Sequence, residues 1–136
     1  MTMIEHVHKH ITTELQQNTK TDTIFILSAI LLNLIALGVN SAIVKDSRTD
    51  NSLLIVMYLF VFLIIVVNTV VIIGILKGKQ TRQKLVDGLL RMYKDQGVDK
   101  YYDESLLSNY STRYNLFIMV VISTGIIAMV VPFVVR

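Results

Sequence analysis

Five of the chain's six tyrosines, Tyr93, Tyr101, Tyr102, Tyr110 and Tyr114, fall in one stretch, interleaved with Arg91, Lys94, Lys100 and Arg113. Aromatic faces stack on bases and basic groups hold phosphates. Arg91, Lys94, Lys100, Tyr101, Tyr102 and Arg113 therefore form a candidate site for a nucleotide or single-stranded nucleic acid. The same residue types also anchor proteins at a membrane interface, and Tyr114 sits where such a belt is expected. An oligomer repeating the cluster round an axis would create a ring of positive charge and aromatic surface that no monomer has.

A second set of polar residues lies within apolar surroundings. Ala29, Asn33, Ala36 and Asn40 follow one another at helical spacing, with Gly38 and Ala42 on a neighbouring line. Asn68 and Thr69 lie in a later apolar stretch, and Ser123, Thr124, Gly125 and Ala128 in the last. Such a stripe faces protein or water, not lipid. Two readings stay open: Asn33, Asn40, Asn68, Ser123 and Thr124 either hold helices together, or line a hydrated path at the axis of an oligomer.

Other chemistry is absent from the pattern. His6 and His10 would share a helix face with His8 between them, but no carboxylate or further ligand completes a metal site, and surface histidines are expected. There is no cysteine, hence no disulfide, zinc thiolate or cysteine nucleophile. Walker-type, G-x-S-x-G, H-E-x-x-H and glycine-rich phosphate motifs are missing, and the segment 77–115 is too small to form an enzyme pocket unaided. No enzyme and no cofactor are expected.

The elements that must carry these residues are set by hydropathy. Hydrophobic residues make up 53% of the chain and the mean hydropathy is +0.58, but it is their clustering that assigns the class. Ile24 to Val44, Leu53 to Leu76 and Leu116 to Val135 contain no Asp, Glu, Lys, Arg or His. Each run of about 20 residues, at about 1.5 Å per residue, crosses roughly 30 Å of hydrocarbon as a helix. Unbroken apolar runs exclude a barrel, and the first is too long and too far from the start to be a cleaved signal. The spans hold no ionisable group, which argues against a proton-coupled transporter, voltage sensor or ion pump.

The fold class expected is all-α: three transmembrane helices (24–44, 53–76 and 116–135), an amphipathic N-terminal segment (1–23) and a helical, basic and Tyr-rich loop (77–115). Lys77, Lys79, Arg82 and Lys84 follow the second span directly, which puts that loop in the cytoplasm. A multi-pass protein of the inner (cell) membrane follows, with its N-terminus cytoplasmic and its C-terminus outside. On this topology the glycosylation signal Asn109-Tyr110-Ser111 is a chance match.

Ile4, Val7, Ile11 and Leu15 predict a short amphipathic helix ending in a turn at Asn18 to Asp22. Leu85, Leu89 and Met92, beside Val86, Leu90 and Tyr93, predict another between Lys79 and Gln96, capped by Gly97 and covered by anionic lipid or by copies of the chain. Asp103 is expected to cap a helix running on through Asn115 into the third span. Pro132 falls in the last turn of that span, where it marks fraying more than a hinge.

The layout over residues 1–93, a polar N-terminal helix, two closely spaced spans and a charged helix, resembles the SLATT-type membrane effectors of bacterial antiphage and conflict systems; the third span departs from that plan. The resemblance implies a homo-oligomeric pore or channel in antiviral defence, held shut until a nucleotide, nucleic-acid or signalling-protein partner acts on the 77–115 loop. The competing expectations are an accessory subunit of a larger membrane complex and a holin-like lesion former. Holins commonly carry a charged tail after the last span, and here the chain stops at Arg136.

Overall fold

The computed structural model describes residues 2–101 and 105–136, with side chains described for 2–100 and 109–136. Tyr102, the side chain of Tyr101 and the expected cap Asp103 lie outside the described residues. Helices α1 (Met3–Ile43), α2 (Asn51–Asp95) and α3 (Ser105–Val135) are joined by stretches holding short 3-10 turns at Asp46–Arg48 and Asp99–Tyr101. All three are long and apolar enough to cross a membrane, as in a multi-pass membrane protein.

Local chemistry sets the helix ends. Thr2 and Glu5 form a capping box, the Thr2 hydroxyl accepting from the Glu5 N–H at 3.3 Å and the Glu5 carboxylate from the Thr2 N–H at 3.0 Å. Between α1 and α2, the Ser47 hydroxyl donates to the Val44 carbonyl at 2.6 Å, and Asp50 caps α2 by accepting from the Ser52 N–H at 2.9 Å. The expected cap at Gly97 is present with φ +72°: Gly97 N–H donates to Lys94 O and Val98 N–H to Tyr93 O, the paired bonds of a Schellman ending.

Two sequence expectations need correction. No turn occurs at Asn18 to Asp22, because α1 passes through it unbroken. The Thr19 and Thr23 hydroxyls bond carbonyls of their own helix, those of Leu15 and Thr19, while Asn18 and Asp22 find partners on α2 and α3. Polar residues that would start a turn in isolation are held helical by tertiary bonds. Likewise the stretch from Lys79 onward is no separate helix but the continuation of α2 to Asp95.

The extensions of α1 and α2 beyond their apolar stretches pack on each other as a two-helix arm. Ile11 lies beside Gly88, Val86 and Leu89 are buried, and His8 Nε2 sits 3.0 Å from the Tyr93 hydroxyl. The apolar face expected to meet lipid or other copies is thus partly covered by the chain's own N-terminal segment.

Within the apolar part, the three helices bury two layers on either side of a polar one. Ile26, Ala29, Val71, Ile75, Tyr114 and Val121 form the layer toward the arm, and Ala36, Ile64 and Ala128 the layer toward the α1–α2 hairpin. Outward, Leu27, Leu31, Phe62, Ile65, Ile126 and Val130 stay exposed, a surface that hydrocarbon solvates and water does not. Because lipid is as apolar as leucine, the helices associate through close packing and interhelical hydrogen bonds. Small residues supply the first and the polar layer the second.

Candidate functional site

The polar layer consists of Asn33, Asn68 and Thr124, one from each helix. Asn33 Nδ2 donates to Asn68 Oδ1 at 3.0 Å and to Thr124 Oγ1 at 3.0 Å; Asn68 Nδ2 returns a bond to Asn33 Oδ1 at 2.7 Å and donates to the Ile64 carbonyl at 2.7 Å. Both carboxamides are thereby satisfied on the nitrogen and the oxygen side. Gly125 permits this approach, since a Cβ there would lie 3.2 Å from Asn68 Oδ1. Asn33 is fully buried among the chain's own helices, so in the protomer it joins helices and faces no conduit.

Asn40 is also fully buried, near the hairpin end, but is poorly satisfied: Nδ2 reaches Met57 O at 3.5 Å and Oδ1 has no partner. Ser123 and Thr69 point outward, Thr69 bonding the Ile65 carbonyl of its own helix.

At the other end of the bundle, where the arm leaves the apolar stretches, a second polar cluster ties all three helices. Asp22 is 6% exposed, although it lies just outside the first apolar stretch. Its carboxylate accepts from the Tyr114 hydroxyl and, at 3.5 Å, from Asn18 Nδ2. Asn18 Nδ2 also reaches the Gly78 carbonyl at 3.1 Å and the Tyr114 hydroxyl at 3.2 Å. Gly78 is required by closeness, because a Cβ there would overlap Asp22 Oδ1 and lie 3.0 Å from Cγ.

Electrostatics follow from this burial. Desolvation pushes the Asp22 carboxyl above its ordinary range, opposed by the Tyr114 hydrogen bond and the positive Arg82. Tyr114 is pushed up to about 12, by burial first and then by its bond to Asp22, so it stays a neutral donor.

Arg82 forms the rim of the cluster. Its Nη1 donates to Thr19 Oγ1 at 2.8 Å, its guanidinium carbon lies 3.9 Å over the centre of the Tyr110 ring, and its Nε is buried without a partner. A hollow of about 280 Å³ opens between α1 and α3 here, and a smaller one of about 80 Å³ lies between α2 and α3, with Arg82, Tyr110 and Tyr114 lining both. Lys79 on the α2 side bonds Asn115 Oδ1 at 3.2 Å.

Of the basic and aromatic set expected to bind a ligand, Arg113 enters the larger hollow. Arg91 and Lys94 are exposed on the arm and Lys100 is exposed after it; none of the three lines a hollow described here. Sequence reasoning missed Asn18, Asp22, Gly78 and Arg82. A usable signal exists: Asn18 and Asp22 lie one helical turn apart just before an apolar stretch, and Gly78 stands between two lysines just after the next. Among the described residues no group of His, Asp and Glu is placed to hold a metal ion.

Compared with known proteins, the chain matches no family model, no curated protein and no solved structure.

Proposed function

We propose that this chain is a membrane effector that assembles with copies of itself into a pore or channel, opened by a signal received at its arm and the loop that follows. The observation that carries this reading is an unpartnered line on α1. Ser28, Leu31, Ile35, Gly38 and Ala42, spaced alternately three and four residues apart, are all exposed, and the space above Gly38 is empty. Gly38 and Ala42 form a small-xxx-small pair on which a second helix packs closely within a bilayer. Since Asn33, Asn68 and Thr124 are used inside the protomer, the conduit runs between copies, with Ser28 and Ser123 among the outward polar groups that could wet it.

Gating has a mechanical basis in the unbroken helices. The arm is the direct extension of α1 and α2, and the Asn18, Asp22 and Tyr114 cluster fastens α3 to both. A nucleotide, nucleic acid or signalling protein that binds one arrangement of the arm better shifts the helices with it, typically by about 1–3 kcal/mol of coupling. The charges after the second span support a cytoplasmic arm, with the N-terminus on the same side and the C-terminus outside. A part in antiviral defence rests on the layout resemblance to SLATT-type effectors.

The mass of the purified chain in detergent tests the assembly: a closed homo-oligomer is expected, and a monomer removes the pore. A second reading, an accessory subunit of a larger membrane complex, is favoured by the self-satisfied Asn33–Asn68 layer, which lets one copy stand alone. Strict dependence on another protein for extraction would select it.

A further inference from the structure

We propose that the hollow between α1 and α3 at the arm end is a binding site for one anionic phospholipid, its phosphate on Arg82 and Arg113 and an acyl chain against Ile26 and Phe117. This goes beyond the pore reading and holds whether or not the assembly conducts. The hollow straddles the edge of the apolar stretches. Thr19, Arg82, Tyr110 and Arg113 line it on the arm side, Ile26 and Phe117 on the apolar side. A headgroup with an acyl chain has this same division, and a free phosphate has only half of it.

Three observations point to an anionic occupant. Arg82 lines the hollow with its guanidinium held at Nη1 by Thr19 and on its face by the Tyr110 ring, and its buried Nε has no hydrogen-bond partner, so its positive charge is only partly satisfied within the protein. A guanidinium held in place by Thr19 and Tyr110 offers phosphate oxygens a preorganised fork. Arg113 is exposed on the same hollow and makes no hydrogen bond or ion pair among the described residues. Asp22, the one acidic group lining it among the described residues, is nearly covered and its carboxylate is taken up by Tyr114 and Asn18. Basic pockets between membrane helices at the headgroup level are where anionic headgroups are held.

Native mass spectrometry of the full chain, extracted from vesicles holding equal amounts of phosphatidylglycerol and phosphatidylcholine, tests this. Preferential retention of one phosphatidylglycerol per chain is expected, reduced about tenfold, or about 1.4 kcal/mol, by Arg113→Gln. That variant removes no hydrogen bond or ion pair among the described residues. Arg82→Lys is expected to weaken retention too, because it keeps the charge and loses the fork. The pair Arg91→Gln with Lys94→Gln, of greater charge change but farther along the arm and outside the hollow, leaves retention unchanged. Phe117→Ala weakens lipid retention but not displacement by inorganic phosphate. Equal retention of the two lipids, or equal loss from the arm pair and from Arg113→Gln, overturns the site. If inorganic phosphate displaces phosphatidylglycerol fully at matched concentration and Phe117→Ala has no effect, the site takes free phosphate and the lipid assignment is wrong.

Discussion

Asn33 on α1 and Asn68 on α2 exchange hydrogen bonds in both directions, at 3.0 and 2.7 Å, in the middle of a bundle otherwise built of aliphatic and small side chains. The pair fixes the register of two helices that lipid alone would let slide, and through Thr124 it fixes the third. Asn33→Leu and Asn68→Leu should each destabilise the bundle, and together by less than their sum, with a coupling of about 1 kcal/mol. Unfolding in mixed micelles measures the cycle; strict additivity would show that the pair is not formed.

Gly78 separates packing from propensity. Alanine is the better helix former by about 1 kcal/mol, so Gly78→Ala would stabilise a free helix. Here its Cβ meets the Asp22 carboxylate, and a net loss of about 1–3 kcal/mol is expected. Gly38→Ala, where the added methyl meets nothing within 4 Å, should be neutral or slightly stabilising in the monomer. Thermal midpoints of the two variants, compared at one detergent concentration, give the contrast.

Asp22 gives the stability a pH dependence of definite sign. Its folded pKa is raised above the ordinary 3.8, so the folded chain binds the proton more tightly than the unfolded one. Its contribution is complete below 3.8 and is lost as pH rises through the raised value, above which the ionised carboxylate is a cost. Asp22→Asn should therefore raise the midpoint above that value and flatten its decline with rising pH. Tyr114→Phe removes a bond that favours the carboxylate and should steepen that decline. In alkali the sign is the same for Tyr114: its contribution is intact below 10.0 and lost toward about 12.

Gly97 stands at φ +72°, where a side chain is strained. Gly97→Ala should cost about 1 kcal/mol and loosen the end of α2. Hydrogen exchange at the N–H groups of Gly97 and Val98, which make the ending's two bonds, should rise; unchanged protection would argue against the Schellman geometry.

Some of this was legible from residue order and some was not. The three apolar stretches announce their helices because a run free of charge has one use at that length. Gly97 was legible as a cap, since glycine after an amphipathic run has a local meaning. The continuity of α1 through Asn18 to Asp22 was not, because those polar residues are satisfied by Gly78 and Tyr114, far away in sequence. For the same reason the basic and aromatic cluster read as one site but divides in space. Arg113 meets Arg82 across a hollow, while Arg91 and Lys94 stay on the arm. Asn33 and Asn40 look alike in the sequence, yet one is fully bonded and the other is not.

The pore is tested most directly by ion flux through vesicles containing the purified chain at known density. Stepwise conductance is expected, abolished by Gly38→Leu, which blocks close helix approach, and retained in Asn40→Leu. Vesicles that stay tight at high protein density, with and without nucleotides or single-stranded nucleic acid added, would contradict it.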